Sequence, residues 1–139
     1  PCCALTADMI TGFPGETEAD QAAAVAFLEQ VGFAAVHVFP YSRRPGTKAD
    51  AMPEQLSHAV KSARAHEAQR VADACKQRYL VQQVGQTLPV LFETEHDGSW
   101  VGHSDNYCLV RAAGDDLRGL VKNVKISAVS GQMLVGDLV

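Results

Sequence analysis

Three sets of residues in this chain have types and spacings that suit chemistry or binding. The first is Gly12-Phe13-Pro14-Gly15-Glu16, two glycines and a proline closed by a carboxylate. Glycine at the end of an apolar run serves where a turn needs positive φ, or where another molecule lies against the main chain; a plain turn satisfies the same pattern. The second is Tyr41-Ser42-Arg43-Arg44-Pro45-Gly46-Thr47. A guanidinium can fork onto a carboxylate or phosphate and can stack on a flat ring, although a loop arginine is also at home in water. The third lies in the last third of the chain: Trp100, His103, Asn106, Tyr107, Arg111, Lys122 and Lys125. Rings that stack on bases, interleaved with cations, are what a single-stranded nucleic acid requires. Trp100 and Tyr107 are equally suited to packing. Lys122 and Lys125, three residues apart, point to opposite faces of a strand. Asp8 reads as a structural carboxylate and His37 as a residue facing away from Val36 and Val38. None of these is expected to be a catalytic acid, base or nucleophile.

The cysteines Cys2, Cys3, Cys75 and Cys108 have no C-x-x-C or zinc spacing, so no metal site is expected from them. They read as the reduced thiols of a cytoplasmic protein.

The elements that must position these residues alternate at first. Residues 3–10 read as a short buried strand. Thr17 then suits a helix N-cap, with Asp20 completing a capping-box variant, and Ala24, Phe27, Leu28 and Val31 form an apolar stripe up to Gly32. Residues 33–39 read as a second strand, so a helix joins two parallel strands by a right-handed crossover. From Pro53 to about Val84 the chain reads as one long helix, with Pro53 at its first position, Gly85 as its stop, and a shallow stripe of Leu56, Val60, Ala63, Glu67, Val71, Ala74, Arg78 and Val81. Thereafter the period becomes two. Five short strands are expected, punctuated by His96-Asp97-Gly98, Ala113-Gly114-Asp115-Asp116 and Ser130-Gly131-Gln132. A small closed barrel of the OB type removes the edges of such a set. The fold class expected is therefore α/β followed by all-β, with boundaries at 1–52, 53–85 and 86–139.

The 139 residues carry 47% hydrophobic and 20% charged side chains, as ordinary globular proteins do. No apolar run approaches the roughly 20 residues that cross a bilayer, and no signal peptide is visible, so no membrane partner is expected. The net charge is −4. Only residues 53–85 are net positive, with five basic and three acidic side chains. Charge alone does not announce a nucleic-acid binder.

Asp8-Met9-Ile10-Thr11-Gly12-Phe13-Pro14-Gly15-Glu16-Thr17 resembles the late-barrel motif of the radical S-adenosylmethionine methylthiotransferases, and Tyr41 to Thr47 resembles their next motif, Y-S-x-R-x-G-T. Either match alone is weak; the pair at this spacing is specific. The last third resembles the TRAM domain that ends the tRNA-modifying members. His37-Val38-Phe39-Pro40 and Gly102-His103-Ser104-Asp105-Asn106-Tyr107 resemble the branch acting on threonylcarbamoyladenosine in tRNA.

The resemblance implies the last βαβ part of a partial TIM barrel, a linking helix and a five-stranded OB-like TRAM barrel. It implies S-adenosylmethionine at Gly12, Phe13, Pro14, Gly15, Glu16, Tyr41, Ser42, Arg44 and Thr47, with Arg43 at the free position. It places tRNA on Trp100, His103, Asn106, Tyr107, Arg111, Lys122 and Lys125. Family members use [4Fe–4S] clusters, one held by C-x-x-x-C-x-x-C, to take hydrogen from an adenine carbon, add sulfur and then methyl. That cysteine motif is absent here. The expectation is that the cluster ligands lie upstream of Pro1, in the remainder of the same polypeptide, and that this piece alone is inactive. Two other functions fit parts of the pattern: a stand-alone RNA-binding barrel, and a methylthiotransferase acting on a ribosomal protein. The loop from Tyr41 to Thr47 speaks against the latter.

Overall fold

A computed structural model describes residues 3–139. The chain divides into two compact units, Leu5–Lys76 and Gln77–Val139, the latter taking in Cys3 and Ala4.

In the first unit, β1 (Thr6–Thr11), α1 (Glu18–Val31) and β2 (Ala35–Pro40) form the expected crossover. β1 and β2 pair in parallel, with Met9 opposite Val38 and Thr11 opposite Pro40. The cap of α1 is the expected one. Thr17 Oγ1 accepts from the Asp20 amide, and the Asp20 carboxylate accepts from the Thr17 amide at 2.9 Å and its hydroxyl at 2.7 Å. These two donors hold the Asp20 carboxyl below its usual range. Gly32 ends the helix in the left-handed conformation.

A second helix, α2 (His58–Gln83), runs from the first unit into the second. It starts five residues after Pro53, a correction to the sequence reading. Glu54 has φ +59°, which no helix tolerates in its first turn. Ser57 starts the helix instead: its Oγ accepts from the Val60 amide and its carbonyl from the Lys61 amide. The buried stripe also sits one residue away from the expected one. Ala63, Glu67, Ala74, Arg78 and Val81 are exposed and Leu56, Val60 and Val71 are partly buried, whereas Arg64, Ala68, Ala72, Cys75, Tyr79, Leu80 and Gln83 are buried. Two of these seven, Arg64 and Gln83, are long polar side chains, so an apolar period could not register them. The core of the first unit packs one face of β1 and β2 (Ala7, Met9, Val36, Val38) against Leu28, Ala68 and Ala72. The opposite face shows Ile10 and Phe39, each more than half exposed.

The second unit contains a closed five-stranded barrel: β3 (Thr87–His96), β4 (Ser99–Ser104), β5 (Leu109–Ala112), β6 (Val121–Ser130) and β7 (Met133–Leu138), in the order β3-β4-β5-β7-β6. Four pairings are antiparallel, and β5–β7 is parallel. That order, closed between first and fourth strands, is the OB topology. Asp97 and Gly98 both have positive φ, as a two-residue hairpin turn of type I′ requires. Alternation fills the interior with Leu88, Val90, Phe92, Trp100, Val110, Val124, Ile126 and Leu134. Gly102 faces Phe92 across the ladder, and a Cβ there would collide with the main chain of Leu91. Just beyond, the β3–β4 register slips between Phe92 and Thr94, leaving Glu93 as the bulged residue.

Candidate functional site

Parallel pairing delivers the C-terminal ends of β1 and β2 side by side, and with them the two loops singled out by sequence. The Tyr41 amide donates to the Thr11 carbonyl at 2.8 Å. The Phe13 and Tyr41 rings meet edge-on with centroids 5.1 Å apart, and Lys61 Nζ lies 5.5 Å from the Tyr41 ring centre.

The Gly12–Glu16 loop is held from inside. Gly12 and Gly15 have φ +71° and +82°. Gly12 also lies so close to Lys61 that a Cβ would overlap it. The Glu16 carboxylate reaches back to accept from the Gly12 amide at 2.9 Å. Arg64 of α2 then clamps the loop: its Nη1 donates to the Glu16 carbonyl at 2.9 Å and carboxylate at 2.6 Å, and its Nη2 to the Glu18 carboxylate at 2.6 Å. Bonding to Glu18 first, and to Glu16, raises the Arg64 pKa above its ordinary value against the opposing effect of burial. Sequence reasoning missed Arg64 and Lys61. Their signal, a long cation on a small-residue helix stripe, appears only once the stripe is placed correctly.

In the second loop, much of the side-chain chemistry is spent locally. Arg43 binds Asp50 through Nε at 2.7 Å and the Asp50 carbonyl through Nη2. The Thr47 hydroxyl donates to the Arg44 carbonyl and accepts from the Asp50 amide, starting a 3-10 turn at Ala49–Ala51. Ser42 and the Arg44 side chain are exposed. The Tyr41 hydroxyl is buried with no hydrogen-bond partner among the described residues.

That orphaned hydroxyl, the half-covered Phe13 ring and the bare Ile10 suit a flat ring with a polar edge. Among the described residues no three His, Cys, Asp or Glu side chains gather to hold a metal, and Cys75 and Cys108 are each buried, one in α2 and one beside β5. Cys2 lies outside the described residues.

The structure sorts the barrel candidates. His103 and Arg111 lie on the outer face of β4 and β5, and Tyr107, between those strands, is 85% exposed. Trp100 is 6% exposed and belongs to the interior, leaving little ring to stack upon. Asn106 turns inward, its Nδ2 donating to Tyr79 Oη and Gln83 Oε1 at 3.1 Å each. Lys122 and Lys125 are both exposed on β6, and Lys125 donates to the Gly85 carbonyl at 2.5 Å. His103 Nδ1 lies 2.5 Å from Glu93 Oε2.

No family model matches the chain. The threonylcarbamoyladenosine tRNA methylthiotransferase of Bacillus subtilis (strain 168) is 37% identical over 132 residues, covering 91% of this chain and 29% of that protein. The tRNA-2-methylthio-N(6)-dimethylallyladenosine synthases of Maricaulis maris (strain MCS10) and Campylobacter jejuni subsp. jejuni serotype O:23/36 (strain 81-176) are 40% and 36% identical, over 99% and 100% of this chain and 31% and 33% of those proteins. The chain thus spans about a third of the length of the curated relatives it matches. With both loop motifs joined at one sheet end and an OB-type barrel following, it belongs to the tRNA methylthiotransferases and corresponds to their C-terminal part.

Proposed function

We propose that this chain forms the cofactor rim and the RNA-holding barrel of an enzyme that adds a methylthio group to a modified adenosine of tRNA, and that the adenosine is threonylcarbamoylated. The observation that carries this reading is the joining of the Gly12–Glu16 and Tyr41–Thr47 loops at one end of the β1–β2 pair. In it, Gly12 to Glu16 would present main chain to the adenosyl group, Phe13 and Tyr41 would flank it, and Arg44 would pair with the ligand's carboxylate. Ser42 and Thr47 shape the second loop. S-adenosylmethionine, when bound, supplies the hydrogen-abstracting and methyl-donating chemistry. The residues of this chain orient it and keep water out. The threonylcarbamoyl assignment rests on the resemblance of residues 37–40 and 102–107. On this reading the cluster ligands belong to the rest of the polypeptide, the enzyme works in the cytoplasm, and the chain alone does not turn over. Among the described residues, no helix is long and apolar enough to cross a membrane.

The test uses a protein that includes the N-terminal part its relatives possess. Arg44→Ala is expected to weaken S-adenosylmethionine binding, measured by calorimetry, about tenfold while tRNA binding stays within twofold, and Arg111→Ala to do the reverse. Equal loss of both ligands in either variant overturns the division of labour. Mass spectrometry of nucleosides from tRNA modified by the protein decides the adenosine: a methylthio group on dimethylallyladenosine alone removes the threonylcarbamoyl assignment.

A further inference from the structure

The barrel carries a feature that phosphate binding does not explain. Leu91, Glu93, His103, Asp105, Tyr107 and Val121 line an open pocket of about 550 Å³. Two of its residues are acids and none is a lysine or arginine, so a phosphate is repelled there. Its walls are apolar, and Leu91, Val121 and Tyr107 are all exposed. Such a wall suits the face of an unstacked base.

Two details show that the pocket is held in shape. Tyr107 has φ +61°, a conformation an aromatic residue adopts only when its surroundings impose it. They do: the Tyr107 amide donates to the Ser104 carbonyl at 2.9 Å, Ser104 Oγ donates to Asn106 Oδ1 at 2.6 Å, and Asn106 is tied to Tyr79 and Gln83. The ring is thereby presented to solvent on a fixed loop. Glu93, for its part, is the bulged residue of β3, and bulges re-aim side chains. One of its oxygens is taken by His103, which leaves the other to accept from a ligand.

We propose that this pocket receives a single unpaired guanine of the RNA, stacked on Tyr107, with the free oxygen of Glu93, Oε1, accepting from its Watson–Crick edge. Guanine presents two adjacent N–H donors there, N1–H and the N2 amine; adenine and cytosine present one amine each, and uracil one imino group. A pocket with two carboxylates, no lysine or arginine, and an aromatic ring on its rim therefore ranks guanine first. Asp105, on the same rim, strengthens that ranking. The proposal rests on the RNA-holding role of the barrel and adds to it a base preference and a residue, Glu93, that serves it.

The test measures fluorescence anisotropy of labelled RNA pentamers UUGUU, UUAUU and UUIUU, where inosine lacks the N2 amine, with the 139-residue chain. UUGUU is expected to bind about tenfold more tightly than UUAUU, with UUIUU between. Glu93→Gln is expected to bring all three within twofold of one another, and Tyr107→Ala to weaken all three about tenfold. Circular dichroism of both variants checks the fold; both side chains are exposed, and Tyr107→Phe, which keeps the ring, is expected to bind as the parent does. Equal binding of guanine and adenine pentamers, or a preference that survives Glu93→Gln, overturns the pocket assignment while leaving the RNA-holding role intact. Failure of every pentamer and of a tRNA anticodon stem-loop to bind overturns the RNA-holding role itself. Displacement of UUGUU by an arginine-rich peptide that is itself lost in Glu93→Gln, with guanine and adenine bound alike, assigns the pocket to protein instead.

Discussion

Replacing Arg64 by methionine keeps most of the side-chain stem and removes the clamp. Arg64 is 7% exposed at its side chain, and Glu16 15%, while Glu18 is 87% exposed. Removing one partner of a buried pair costs about 3–5 kcal/mol, and an exposed pair contributes about 0–1 kcal/mol. Glu16 keeps the Gly12 amide as a second partner, so the lower end applies: about 3 kcal/mol for Arg64→Met, with under about 1 kcal/mol of it traceable to Glu18. Glu18 contributes more than Glu16 to the raised Arg64 pKa, yet water screens it, and stability should follow the buried bond. Urea unfolding followed by far-ultraviolet circular dichroism, for Arg64→Met, Glu16→Gln, Glu18→Gln and the paired variants, separates the two. The 64–16 coupling is expected near 2 kcal/mol and the 64–18 coupling below about 1 kcal/mol. A loss under about 1 kcal/mol for Arg64→Met, or a Glu18→Gln cost exceeding that of Glu16→Gln, refutes the clamp.

Thr17→Ala should cost about 1 kcal/mol at neutral pH by removing the cap; the same denaturation measures it. Because the folded Asp20 carboxyl is depressed, the stability it lends is present above its unfolded value and fades as pH falls through the folded one. The difference between parent and Thr17→Ala should therefore shrink in acid, and a constant difference refutes the capping box. Gly12→Ala combines a positive φ with a clash on Lys61 and should cost about 2 kcal/mol or more, read as a lower urea midpoint. Asn106→Ala leaves Tyr79 and Gln83 without their shared donor and should cost about 1–3 kcal/mol, with faster quenching of Tyr107 fluorescence as its loop loosens.

What the sequence revealed was local or periodic. Thr17 and Asp20 are three residues apart, so their mutual cap is written in one turn of chain. Asp97-Gly98 names its own turn, and the period-two runs around it place five strands whose closure follows from the need to hide edges. The parallel meeting of β1 and β2 follows from the intervening helix. What escaped was nonlocal and polar. Arg64 is buried because Glu16 lies 48 residues away in sequence and beside it in space, and Gln83 because Asn106, 23 residues on, donates to it. A hydrophobic period counts such residues as surface and so displaces the stripe of α2 by one position. Glu93 escaped for a related reason: its outward turn beside His103 depends on a register slip that only the paired strand reveals.

Each strand of the barrel has a neighbour on both sides, whereas among the described residues β1 and β2 have only each other. Half of the amides along those two strands thus face away from any ladder partner. Deuterium should enter them within the dead time of labelling, while the barrel's interior amides wait for its global opening. The segment that carries the glycine loop is in this sense the chain's soft end, and any partner that supplies the missing ladder bonds would register first as slowed exchange at Thr6–Thr11 and Ala35–Pro40.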